Sequence, residues 1–215
     1  MASTIMHLAI TSLVARQLEI SDRNLLLGGV LPDFSEAFNS HYRVENPKTK
    51  EKTIDLFKIC EELFSNAENV DMTVIGFYLH LVQDRFFCQF LIENCGIGIC
   101  TENTKRLYHD YSLLNSYIID HYALPSLLDI KFPAEDSFLN QKFRLNEAAF
   151  RKSIQDSFKT PPPNGTAILL TKEMADQFIE MAAVVSLREF DAVQRGCPPY
   201  DKVPYYWIRQ DKAST

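Results

Sequence analysis

The sequence predicts an all-α fold, a bundle of six or seven helices around a buried site. Apolar residues recur at three- and four-residue spacing through most of the chain, the period of a helix packed on one face. Only 7 glycines occur among 215 residues, few for an all-β chain or one built on glycine-rich nucleotide loops. No stretch alternates apolar and polar residues for long enough to predict a strand.

Ser3 or Thr4 can cap a first helix running to about Glu19, with Ile5, Leu8, Leu13, Val14 and Leu18 on one face and His7 one turn in. Ser21-Asp22 reads as a second cap. A short apolar segment, Asn24 to Leu31, stops at Pro32, and Gly28-Gly29 allows close backbone packing. Asp33 follows directly. From Phe34 to Lys52 the helical period is lost, and this stretch, with His41, reads as a long ordered loop over a site.

A helix from Thr53 to about Asn66 would turn Ile54, Phe57, Cys60, Leu63 and Phe64 inward. The central helix is expected from about Val70 to Glu93, and Gly96 and Gly98 break the chain after it. Another helix runs from Thr101 to about Tyr122, and Pro125 and Pro133 bracket a short helix or turn. Asn146 caps a helix from Glu147 to about Phe158. Pro161-Pro162-Pro163-Asn164-Gly165 is the strongest punctuation in the chain, and Thr171 opens a last helix to about Phe190. The aromatic tail through Tyr205-Tyr206-Trp207 is expected to pack on the bundle. Residues 1–215 read as one domain, because Gly165 to Thr215 has too little apolar surface to fold alone.

Charge narrows the function. With 22 basic and 28 acidic residues the net charge is −6, which argues against gripping nucleic acid by its phosphates. It leaves room for a metal-dependent hydrolase, where the ion supplies the local positive charge. The five cysteines fit neither a CxxC pair nor a disulfide framework. No leader of secretory type stands at Met1–His7 and no window is long enough to span a membrane, so a cytoplasmic location is expected.

The central stretch Gly76-Phe77-Tyr78-Leu79-His80-Leu81-Val82-Gln83-Asp84 is apolar on all sides, as a buried helix is. It nevertheless carries His80 and Asp84 on one face, a turn apart. Burying an imidazole and a carboxylate there is costly unless each has a partner, which could be the other side chain or a shared metal ion. Only five histidines occur, and His7, Asp33 and His41 stand upstream of the pair. Three imidazoles and two carboxylates form a donor set that suits zinc. Asp84, expected to be buried beside a histidine, is the natural bridge between two ions.

His7-Leu8-Ala9-Ile10, Gly28-Gly29-Val30-Leu31-Pro32-Asp33, His41-Tyr42 and the His80-Leu81-Val82-Gln83-Asp84 helix resemble, in order and spacing, the bacterial zinc-dependent phospholipase C family. That all-α superfamily also contains single-strand-specific zinc nucleases. The resemblance covers about the first 90 residues. It implies a first zinc site formed by Asp33, His41, His80 and Asp84, with His7 and Asp84 contributing to a neighbouring ion. It also implies that Asp33 helps deprotonate the attacking water in metal-assisted hydrolysis of a phosphodiester.

Full three-zinc members use an N-terminal tryptophan and a second His-x3-acid pair as ligands. Here the only tryptophan is Trp207, and neither His109 nor His121 has an acid four residues on. One or two zinc ions are therefore expected, with Asp110 as the candidate for an extra ligand from the following helix. The substrate would be a phospholipid or another small phosphodiester, and no nucleic-acid partner is expected. The competing expectations are a non-catalytic metal-binding scaffold with a partial site and a zinc nuclease.

Overall fold

In the computed structural model, residues 1–65, 70–159 and 164–210 are described. Among them the chain is predominantly helical, with eight α-helices: α1 (Thr4–Gln17), α2 (Asn24–Gly28), α3 (Leu56–Phe64), α4 (Met72–Gln89), α5 (Thr101–His121), α6 (Phe138–Phe143), α7 (Glu147–Lys159) and α8 (Lys172–Gln194). The expected all-α class is what the chain adopts. The triple proline at 161–163, the expected helix end at Asn66 and Asn69 lie outside the described residues.

Helix α4 is the axis of the bundle and packs against α2, α8, α3 and α1. Asp71 caps it, its carboxylate accepting from the Val74 N–H at 2.9 Å. Phe77, Tyr78, Leu79, Leu81 and Val82 are fully buried, each contributing about 2 kcal/mol by leaving water. The helix ends at Gln89, earlier than expected. A single π-helical turn, Phe90–Asn94, follows, with Phe90 and Leu91 still buried.

Helix α1, capped by Ser3, is buried on every side rather than on one face, because α8, α5, α2 and α4 surround it. Its Thr11 hydroxyl tolerates this by donating to the His7 carbonyl at 2.8 Å.

Two backbones meet where α2 crosses α4. A Cβ at Gly28 would lie 2.1 Å from the Thr73 carbonyl oxygen, and one at Gly76 2.2 Å from that of Leu25. Only glycine permits this approach.

The stretch read as a loop from Phe34 to Lys52 contains strand instead. β1 (Arg43–Glu45) pairs antiparallel with β2 (Glu51–Ile54), and β3 (Trp207–Ile208) returns from the tail to pair with β2. Strands of two to four residues, with β1 exposed throughout, leave no alternating pattern long enough to recognise. Helix α3 consequently starts at Leu56, capped by Asp55, and Phe57 points outward at 46% exposure.

The tail does pack on the bundle, with Trp207 buried. Glu189 of α8 anchors it, accepting from the Tyr78 hydroxyl (2.7 Å) and from the Tyr200 and Asp201 N–H groups (2.8 and 3.3 Å). Among the described residues no helix is long and apolar enough to cross a membrane.

Candidate metal centre

Five of the six expected site residues converge. His7 comes from α1, Asp33 from a 3-10 turn (Leu31–Phe34), His41 from the loop before β1, and His80 and Asp84 from α4. Two overlapping groups, His7 with His80 and Asp84, and Asp33 with His41 and His80, each hold their donor atoms within 4.8 Å of one another. Asp84 faces both sides: Oδ1 is 3.3 Å from His7 Nε2, while Oδ2 is 3.6 Å from His80 Nε2 and 3.9 Å from His41 Nε2. Asp33 Oδ1 lies 3.7 Å from both His41 Nε2 and His80 Nε2.

The partners of the remaining atoms decide what these five can do. His80 Nδ1 donates to the Gly29 carbonyl at 2.9 Å, so its proton is held there and Nε2 is turned into the cluster. His7 Nδ1 meets Gln83 Oε1 at 2.7 Å; the Gln83 amide nitrogen donates to the Ser186 hydroxyl at 3.3 Å, which leaves its oxygen to accept from the imidazole. His41 Nδ1 meets the Ser40 hydroxyl at 3.1 Å. Asp33 Oδ2 accepts from Thr4 at 2.6 Å, and Asp84 Oδ1 from the Ala2 N–H at 3.2 Å.

Every outward atom is thus engaged, whereas Nε2 of His7, His41 and His80 and Oδ2 of Asp84 are buried without a hydrogen-bond partner. Four orphaned donors within two adjoining groups would be a severe defect in a core packed for its own sake. They fit the donor set of a divalent transition ion, with each imidazole oriented by its second nitrogen.

The Gly28–Gly76 crossing sets this up. By bringing α2 onto α4 it delivers the Gly29 carbonyl to His80. His41 is presented by left-handed backbone at Asn39 and Tyr42 (φ 55° and 49°), with the Tyr42 hydroxyl anchored on Glu62 at 2.5 Å. The His7 and His80 rings stack at 3.7 Å between centroids.

Burial alone would push the Asp33 carboxyl up, but His80, His41 and His7 outweigh it and hold it down at about 2. Asp84 is likewise held well below the usual carboxylate range, its burial overcome by His7 and His80. Burial and the neighbouring His80 lower His7, which keeps it neutral with its lone pair free. Burial lowers His80 too, but Asp33, Asp84 and the Gly29 carbonyl outweigh it, and its titration lies above the ordinary histidine value. Both carboxylates are therefore ionised at neutral pH, as metal ligands must be.

The sixth expected residue, Asp110, stands in neither group. Its carboxylate accepts from the N–H groups of Ile168, Leu169 and Leu170 at 2.8, 2.7 and 2.9 Å, tying α5 to the segment that leads into α8. The structure places it outside both groups, with each of its oxygens accepting from backbone N–H groups. Burial raises its titration, but these three N–H groups outweigh it and leave the pKa below the ordinary carboxylate value. Its stabilising contribution is thus full above the unfolded carboxylate range and is lost as pH falls through the lowered value. Asp110→Asn is expected to cost about 2 kcal/mol at neutral pH and almost nothing in strong acid, with metal content unchanged. Urea unfolding at several pH values checks this; an equal cost at every pH would contradict it.

Gln83, Thr4 and the Gly29 carbonyl were not singled out by sequence reasoning. Gln83 had one available signal, an amide on an all-round apolar helix beside Asp84. The Gly29 carbonyl had none, since its role arises only at the helix crossing.

Comparison with protein-family models, with curated proteins and with solved structures gives no match.

Proposed function

We propose that the cluster binds zinc, or a similar divalent transition ion, and hydrolyses a small phosphodiester or phospholipid in the manner of the zinc-dependent phospholipase C family its motifs resemble. The observation that carries this reading is the set of four orphaned buried atoms, three imidazole nitrogens and one carboxylate oxygen, spread over two donor groups that share His80. Asp33 Oδ1, His41 Nε2, His80 Nε2 and Asp84 Oδ2 would hold a first ion. His7 Nε2 and Asp84 Oδ1 would hold a second, with positions left over for water and substrate. A divalent ion bound there supplies Lewis-acid polarisation of the phosphoryl group and acidifies water.

The chain's own residues then divide the remaining work. Asp33, ionised and partly open to solvent, is placed to accept the proton of the attacking water. His41 is the other member that reaches the surface, at 15% side-chain exposure, so entry lies between it and Asp33. Thr4 fixes the Asp33 carboxylate through its second oxygen. His7, His80 and Asp84 are fully buried and keep their donors aimed inward while excluding bulk water.

That deep burial also supports a second reading, a structural ion in a non-catalytic scaffold. One experiment separates the two. Protein stripped with chelator and reloaded with zinc is expected to retain about one or two ions per chain and to turn over bis(p-nitrophenyl) phosphate only when loaded. Retained zinc with no turnover of any phosphodiester or phospholipid would select the scaffold. Protein that takes up no metal and melts identically in chelator would defeat both.

A further inference from the structure

A cavity of about 320 Å³ lies between the small sheet, α4 and α5. Its lining includes three residues that stand close in the chain to members of the cluster. Cys88 is one turn beyond Asp84 on α4, Arg43 is two residues beyond His41, and Met1 adjoins Ala2, whose N–H is bonded to Asp84. Burial pushes the Cys88 thiol up to about 11.

The lining has two kinds of chemistry. Arg43, Lys52 and Arg209 bring three cations against one carboxylate, Glu45, in a chain whose net charge is −6. Lys52 is paired with Glu45 at 3.1 Å, and Arg209 donates to Thr101 at 2.7 Å. The Arg43 backbone is held by the Asn39 side chain, while its guanidinium has no hydrogen-bond or ion-pair partner among the described residues. Leu91, Leu107 and Trp207, all buried, add apolar surface to the same lining.

The geometry points to this cavity as the substrate-binding subsite of the metal centre, taking a phosphate ester with an apolar arm: Arg43 receives a non-bridging phosphate oxygen and the Leu91–Leu107–Trp207 wall receives the arm. This rests on the metal-centre reading above and adds the substrate's shape to it. A guanidinium matches two phosphate oxygens at once, whereas the buried wall offers nothing to a polar head group. Discrimination therefore comes from the arm and affinity from the charge. A volume of this size admits an aryl group or a short alkyl chain and excludes a two-tailed lipid held whole.

Calorimetry of the zinc-loaded full chain with phenyl phosphate and with inorganic phosphate tests the assignment. Phenyl phosphate is expected to bind at least about tenfold tighter than inorganic phosphate. Arg43→Ala should weaken both by about tenfold, a loss of roughly 1.4 kcal/mol, with zinc content unchanged. Thr104→Phe, which fills the cavity from α5, should weaken phenyl phosphate alone. Equal affinity of both probes, or binding indifferent to both substitutions in protein that still holds its zinc, overturns the subsite and leaves the metal centre standing. Protein that takes up no metal yet binds phenyl phosphate through Arg43 overturns the metal centre and leaves the subsite.

Discussion

On the proposed metal-centre reading, Asp84→Asn is expected to remove metal binding and, with it, the stability that a bound ion would confer. Asp84 is the one residue whose two oxygens face opposite halves of the cluster, Oδ1 toward His7 and Oδ2 toward His80 and His41. Asparagine keeps the volume and can still accept from the Ala2 N–H, but it replaces one anionic oxygen with an amide nitrogen that has no lone pair to give. The metal affinity should fall by more than about a hundredfold, beyond the loss usual for a group outside the ligand set. An ion present at a thousand times its Kd stabilises the folded state by about 4 kcal/mol, and that increment should vanish. Metal analysis after gel filtration, with thermal unfolding in zinc and in chelator, reads both effects. Zinc content equal to wild type would refute the bridging role.

Gly76→Ala should damage the same site from a distance. The added Cβ would lie 2.2 Å from the Leu25 carbonyl oxygen and 2.7 Å from the Gly29 nitrogen, both backbone atoms that cannot rotate away. Alanine gains about 1 kcal/mol over glycine in helix propensity, but separating two packed helices costs more. A net loss of about 3 kcal/mol is expected, lowering Tm by roughly 10 °C in a chain of this size. Moving α2 also withdraws the Gly29 carbonyl from His80 Nδ1, so zinc affinity should fall about tenfold although no ligand has changed. Chelator competition and a thermal melt measure the two together. A variant as stable as wild type would mean the crossing is not as tight as its geometry.

The helices were largely legible because their signals are local. Ser3, Asp71 and Thr171 each precede a helix and accept from the backbone N–H three residues on. The apolar period persists through α5 and α8, and α4 is marked by apolar residues on all sides. The small sheet was not legible, since β2 and β3 are joined across more than 150 residues and β3 is only two residues long. Phe57 was misplaced for a related reason: with Thr53 and Ile54 in a strand, α3 starts later and its buried face turns.

His80 and Asp84 were nameable from sequence because a buried imidazole or carboxylate is costly in an apolar helix, and His7, Asp33 and His41 because their order upstream of that pair resembles a known motif pattern. Their neighbour Asp110 looked equivalent at that level, being an acid beside a histidine on the next helix. Sequence records which groups can ionise or coordinate; it does not record which of them the backbone has already satisfied. Three N–H groups from a segment almost sixty residues away claim Asp110, while no partner reaches Asp84 Oδ2. Hydrogen-bond satisfaction depends on distances of a few ångströms between remote segments. Only the folded chain could therefore separate the orphaned donors from the occupied ones.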